Sequence, residues 1–227
     1  ERATRDVVSR GIYAEMRAGR TTPNGGVHIS MAHLGPENVV KQFKGMVERC
    51  ADSGFDLAGG LVEVVPTAHY MMGGVEFGPD CSTALPGLFA AGEDTGGVHG
   101  ANRLGGNGVA NSTVYGGVAG EEMAAWVRAQ GALHQPDAEE IAAVEAACRA
   151  PLGRSPGDLE GVRQALYELM WDDVGIVRDA QGLARARGAL SGLQARLDAT
   201  GVDASALRYN LAWHDWMNLK NLILVSR

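Results

Sequence analysis

Glycine decides what this chain can fold into. Its sequence carries 32 glycines, too many for an all-helical protein, because each costs roughly 0.5–1 kcal/mol against alanine inside a helix. They concentrate over residues 92–120 in varied rather than repetitive sequence, which suits a segment shaped around a ligand. Two stretches, Pro66-Thr-Ala-His69-Tyr-Met-Met-Gly-Gly74 and His99-Gly-Ala-Asn-Arg103-Leu-Gly-Gly106, each set one anion-binding side chain beside glycines. A bare backbone there lets a flat ligand come close. Between them, Leu85-Pro-Gly-Leu-Phe-Ala-Ala-Gly-Glu93 reads as a buried apolar strand ending in glycine and an acid.

Each candidate has an ordinary alternative. His69 could be a simple surface histidine, but the Gly73-Gly74 pair beside it favours a ligand site. Arg103 offers a planar fork suited to a carboxylate, and by spacing alone a salt bridge to a nearby acid fits equally. Gly105-Gly-Asn-Gly108 opens a helix, whose first amides bind anions; it could equally be a plain tight turn. A helix start aimed at the N1–C2=O edge of a reduced flavin would stabilise the negative charge there. Glu93 could accept hydrogen bonds from sugar or ribityl hydroxyls, or merely cap a loop. Arg5 and Arg10 lie on a helix, where arginines are usually solvated, and spacing gives no reason to single out Arg5. His28, His33, His134 and His214 have no such surroundings.

Length and composition bound the class. At 227 residues, 45% of them hydrophobic and 21% charged, the chain can bury a sizeable core in one large or two small domains. A net charge of -7 without a basic stripe excludes a nucleic-acid surface. Three distant cysteines (Cys50, Cys81, Cys148) suggest neither a zinc site nor a disulfide framework, and fit a reducing compartment. No metal site is expected. No apolar run approaches the roughly 20 residues of a membrane span. Glu1-Arg-Ala-Thr begins within a helix approach and Leu222-Ile-Leu-Val-Ser-Arg227 stops inside an apolar helix pattern without a C-cap signal, so the chain reads as an internal piece of a longer protein.

Periodicity predicts a helix over 4–18 with Thr4 as N-cap and Val8, Ile12 and Met16 inward, then a strand at 27–31. A second helix is expected over 36–52, with Val39, Val40, Phe43, Met46, Val47 and Cys50 on its apolar side, and a second strand over 61–65. Short strands and turns fill 66–92. A helix over 107–129 should face Val114, Val118, Met123, Trp126 and Val127 inward. From His134-Gln-Pro-Asp137 the pattern is purely helical: Asp137 caps a helix bearing Ile141, Val144 and Cys148, and 158–174, 179–199 and 203–227 form a three-helix bundle.

Taken together, these motifs resemble the flavoprotein subunit of succinate dehydrogenase and fumarate reductase, and its relative L-aspartate oxidase. Thr4-Arg-Asp-Val-Val-Ser-Arg10, His69-Tyr-Met-Met-Gly-Gly74, Leu85–Glu93, His99–Asn107 and Met170-Trp-Asp-Asp-Val-Gly-Ile-Val-Arg178 carry the likeness over nearly the whole chain. The resemblance implies an α+β or α/β fold in three parts: the later part of a capping domain (1–65), the C-terminal part of an FAD-binding domain (66–130) and a helical domain (137–227). It implies that His69 and Arg103 bind the carboxylates of a C4 dicarboxylate, and that Arg5 passes the proton at the carbon opposite the hydride site. Glu93 would hold the ribityl or ribose region of FAD, and the amides of Asn107, Gly108 and Val109 would meet the isoalloxazine ring. Gly108 stands where many members carry serine, and Val109-Ala-Asn111 replaces a leucine-rich stretch.

The implied activity is succinate–fumarate interconversion with hydride transfer at flavin N5, and the implied partner is an iron–sulfur subunit. The implied location is cytoplasmic, peripheral on the inner face of the membrane through partner subunits. Met71-Met72 and Leu104-Gly-Gly106 look like the succinate/fumarate branch; an aspartate oxidase or another dicarboxylate oxidoreductase, and a non-catalytic helical docking module, remain alternatives. The residues include no Gly-x-Gly-x-x-Gly turn, so this chain by itself is expected to be inactive and not to retain FAD.

Overall fold

The computed structural model describes residues 3–131, 135–205 and 207–227, which fall into two compact units, Glu1–His134 and Gln135–Arg227. Glu1 and His134 lie outside the described residues.

In the first unit, helix α1 (Arg5–Arg17) follows Thr4, whose extended backbone starts the helix without a side-chain cap bond. Tyr13 is its buried residue; Ile12 and Met16 are half-buried, and Val8 is exposed, against expectation. Strands β1 (Val27–Ile29) and β2 (Val62–Val64) pair antiparallel with Val27 opposite Val64, each shorter than the sequence suggests.

The helix expected over 36–52 is broken. α2 (Pro36–Gln42) and α3 (Lys44–Asp52) meet at Phe43, which leaves the helical region at φ -124 and ψ 31. Pro36 at the first turn and Gly35 as N-cap start α2, an arrangement proline favours. The break turns the apolar stripe: Val39 before it and Val47 and Cys50 after it pack on Leu57 and Val62, whereas Val40, Phe43 and Met46 face outward.

Leu85–Glu93 does not form the expected strand. Pro86-Gly87 makes a type II turn, with Gly87 at φ 84 and the Leu88 amide donating to the Leu85 carbonyl at 3.0 Å. Only the single Ser82–Phe89 bridge follows, and Leu85 and Leu88 are exposed while Ala90 is buried. A second bridge, Val75–Thr95, brings the end of the His69 segment beside the residues after Glu93.

Helix α4 (Asn107–Gln130) starts after Gly106 in the left-handed conformation, φ 86. Its inward stripe is Gly108, Asn111, Tyr115, Val118, Ala119 and Trp126, at helical spacing. Val114, Met123 and Val127, expected inward, lie on the exposed side. The weaker apolar letters hold the packed face because Tyr70, Gly92 and Gly87 press against Gly108, Ser112 and Trp126.

In the second unit, the Asp137 side chain accepts from the Glu139 and Glu140 amides and starts α5 (Ala138–Arg149), on which Ile141 and Val144 are exposed. Helices α6 (Leu159–Asp172), α7 (Ala180–Ala199) and α8 (Leu211–Val225) pack around Val162, Leu166, Leu190, Leu193, Leu197, Trp216, Leu219 and Ile223. The Trp216 indole N–H donates to the Leu197 carbonyl at 2.9 Å, so even its polar atom is satisfied in the core. α8 starts at 211 rather than 203. Asp203 Oδ1 captures the Ser205 amide at 2.8 Å, and Tyr209 sits at φ 59. Such a local turn competes with a helix, which begins only once Asn210 caps Trp213.

α7 depends on its cap in the same way. Asp179 Oδ1 accepts from the Gly182 amide at 2.7 Å, and Asp179→Ala is expected to lower unfolding stability by about 1 kcal/mol, read as a shift in the urea midpoint with unchanged slope.

Candidate active site

Arg5, His69 and Arg103 come from three separate segments and meet on one imidazole nitrogen. His69 Nε2 lies 2.6 Å from Arg5 Nη1 and 3.1 Å from Arg103 Nη2. Guanidinium groups only donate, so Nε2 accepts and the ring proton lies on Nδ1. Two like charges converge on one neutral acceptor. That arrangement is repulsive alone and favourable around an anion placed among the three groups.

The helix and loop that deliver these arginines are pinned together by Asp6. Its Oδ1 accepts from Asn102 Nδ2 at 3.1 Å, and its Oδ2 pairs with Arg10 Nη2 at 3.0 Å. The Thr4 hydroxyl, then the Asn102 amide and the Arg10 charge, hold the Asp6 carboxyl below the usual aspartate range. Asp6 stays ionised and ties Arg5's turn to Arg103's loop. Its engagement also keeps the acid next to Arg5 in sequence from neutralising the cluster.

The glycines set the backbone path. Gly74, at φ 143, passes so close to Asp94 that a Cβ would lie 2.1 Å from its carbonyl oxygen. Gly74→Ala is therefore expected to displace the segment that carries His69 and to lower the melting temperature, measured by thermal unfolding.

Glu93 acts first on the protein. Its Oε1 accepts the Met71 amide at 2.9 Å and so fixes the His69–Met72 segment; among the described residues its second oxygen has no partner and remains able to take a hydroxyl donor. Gly108 has a packing role not visible in sequence, since a Cβ there would lie 2.7 Å from the Tyr70 ring. Sequence reasoning also missed Asn111, 4% exposed, whose Nδ2 donates to the Gly92 carbonyl at 3.0 Å and lies 3.3 Å from His99 Nε2. Its helical spacing from Gly108 and its polarity on an otherwise apolar stripe were the available signal.

The start of α4 fits an anionic, flat group. Among the described residues no side chain caps its first turn, and no acid lies in it. The Asn107 amide donates to the Leu104 carbonyl at 3.2 Å, which leaves the next amides, of Gly108 and Val109, to point outward from the helix start. Val109, whose amide is one of those donors, is 76% exposed, and Leu104 before the helix start is 73% exposed. Asn111 Oδ1 and Arg103 Nε are buried without a protein partner among the described residues. Uncapped amides, open apolar surface and clustered cations are what a redox ring and an anionic substrate require. Among the described residues no group of three His, Cys, Asp or Glu side chains is arranged to hold a metal ion.

A family model described as "FAD binding domain" matches residues 1–109, and one described as "Fumarate reductase flavoprotein C-term" matches 163–227. An uncharacterized FAD-dependent oxidoreductase of Methanocaldococcus jannaschii is 36% identical over all of this chain and 41% of its own length. The 8-methylmenaquinol:fumarate reductase flavoprotein subunit of Wolinella succinogenes is 32% identical over all of this chain and 39% of its own. A solved structure, Mycobacterium smegmatis Sdh1 in complex with UQ1, superposes with a TM-score of 0.86 at 34% identity, covering 99% of this chain and 38% of that one. The chain is thus similar over its whole length to FAD-dependent flavoproteins, among them fumarate reductase subunits, and over most of it to L-aspartate oxidase. It spans about 41% of the length of the first curated relatives it matches.

Proposed function

We propose that this chain is part of a longer FAD-dependent oxidoreductase that interconverts succinate and fumarate, with residues 1–65 in its capping domain, 66–130 in its FAD-binding domain and 137–227 in its helical domain. The observation that carries the reading is the meeting of Arg5, His69 and Arg103 on His69 Nε2. A C4 dicarboxylate supplies the missing negative charge at both ends. Arg103 takes one carboxylate through its fork, His69 donates its ring N–H to the other, and Arg5 moves the proton at the carbon between them.

FAD, when bound, supplies the two-electron chemistry at the adjacent carbon; Gly108 and Val109 amides would face its ring and Glu93 a hydroxyl of its chain. Arginine is rarely deprotonated, so Arg5 serves only where its proton is promptly replaced. The short contact of Arg5 Nη1 with His69 Nε2 keeps the guanidinium oriented toward the substrate position. An iron–sulfur subunit is the proposed electron partner. Among the described residues no helix is long and apolar enough to cross a membrane, and the proposed membrane association runs through partner subunits on the cytoplasmic side.

The test is a steady-state comparison in the purified flavoprotein that carries these residues. Fumarate reduction with a reduced viologen and succinate oxidation with a dye acceptor are expected, with L-aspartate oxidation at least roughly a hundredfold slower. L-Aspartate as the preferred substrate, or no turnover with any of the three, overturns the reading.

A further inference from the structure

Arg103 is held by something the charge cluster does not explain. Its guanidinium carbon lies 4.2 Å above the centre of the Tyr70 ring. Tyr70 follows His69 directly, so one dipeptide presents the imidazole to Nη2 of Arg103 and the ring to its face. The ring is itself boxed. Its edge meets α4 at Gly108, where a Cβ would come within 2.7 Å. Its hydroxyl lies 3.4 Å from His99 Nε2, with the two rings edge-on at 5.6 Å.

The chain of contacts ends in buried backbone. His99 Nε2 also faces Asn111 Nδ2 at 3.3 Å, and that amide cannot turn over, because Nδ2 donates at the same time to the Gly92 carbonyl at 3.0 Å. A turned amide would set oxygen against oxygen. Thr95 Oγ1 donates to the same carbonyl at 2.7 Å and fixes it. With two donors on Nε2, His99 accepts there, and the Tyr70 hydroxyl points its proton at it.

From this geometry we propose that Tyr70 is a positioning residue for substrate binding, held by His99 and Asn111, which keeps the Arg103 fork turned toward His69. It touches neither the reacting carbons nor the moving proton. The inference rests on the dicarboxylate reading of the site. A guanidinium on an aromatic face is weakly hydrated and restrained in plane, which suits a fork that must meet a carboxylate edge-on. Losing the stack frees Arg103 to rotate and to hydrate before each binding event.

In the flavoprotein that carries these residues, Tyr70→Leu is expected to raise the dicarboxylate KM by about tenfold, the size of a partly desolvated cation–aromatic contact, with kcat changed less than about threefold. Tyr70→Phe keeps the stack and is expected to restore most of that loss. Gly108→Ala pushes the ring instead of removing it, so at matched flavin occupancy it should by itself raise KM and add little on top of Tyr70→Leu. A second readout needs no turnover. The Arg103 Nε–H proton resonance of this chain, shifted by the ring above which it lies, should move toward its ordinary position in Tyr70→Leu and Gly108→Ala but not in Tyr70→Phe. KM within about twofold of wild type in Tyr70→Leu, while Arg103→Lys still raises it, overturns the proposal and leaves the site reading intact. An unchanged KM in Arg103→Lys takes both down. Should Tyr70→Leu fail to fold, Gly108→Ala decides: an unmoved Arg103 resonance with unmoved KM overturns the proposal.

Discussion

Arg103→Lys is expected to raise the KM for fumarate and succinate by roughly tenfold to a hundredfold in the flavoprotein that carries these residues, and to lower turnover as well. The range converts a lost charge-assisted pairing of about 1.5–3 kcal/mol. Three features of Arg103 are beyond lysine. Its Nη2 reaches His69 Nε2 at 3.1 Å, its guanidinium carbon lies 4.2 Å from the centre of the Tyr70 ring, and its Nη1 donates to the Leu104 carbonyl at 3.2 Å. A lysine ammonium keeps the charge but cannot stack flat, hold the loop carbonyl and present two parallel donors together. Turnover falls with binding because a substrate held by one point is free to pivot away from the hydride and proton positions. Initial rates over a wide substrate range, with flavin content measured in parallel, provide the check. Wild-type constants for both substrates would remove Arg103 from the carboxylate site.

How much of this was legible in the sequence divides along physical lines. The glycine cluster and the order His69, Glu93, Arg103 pointed to one site, because residue chemistry and backbone freedom are local properties. α4 and the bundle helices were readable for the same reason: caps such as Asp137 and Asp179 act within one turn. Burial was read less well. Val114, Met123 and Val127 looked like a core stripe, yet the face that packs carries Gly108, Asn111 and Ala119. What packs on it, Tyr70, Gly92 and Gly87, lies far back along the chain; even the nearest pair, Asn111 with Gly92, is separated by 19 residues, beyond any periodicity window. The apolar run Leu85–Glu93 was misread as a strand because the Pro86-Gly87 turn outweighed its hydrophobicity. Tyr70's stack on Arg103 was hidden altogether, being a contact between distant segments that no residue type announces.

Arg5→Ala is expected to cost most of all: turnover should fall by about a hundredfold to ten-thousandfold, the range of a positioned proton donor, while flavin content stays normal. The direction follows from where the residue acts. A proton donor acts only in the transition state, so its loss lowers kcat and kcat/KM together, whereas loss of a carboxylate contact falls mainly on KM. Placement supports the role. Arg5 opens α1, where the helix dipole favours anions rather than cations. The Asp6 clamp to Asn102 nevertheless holds that turn against the Arg103 loop and keeps Arg5 Nη1 at 2.6 Å from His69 Nε2. Arg5→Lys separates charge from chemistry: it returns a cation to the site without the fixed reach to His69, and should recover little turnover. Breaking the clamp with Asp6→Asn should lower turnover less than Arg5→Ala, since the guanidinium remains but is held less firmly. Steady-state kinetics of the three variants at matched flavin occupancy decide the matter. If Arg5→Ala turns over within a few-fold of wild type, the residue is an ordinary charge on the surface of α1, and the proton takes another path.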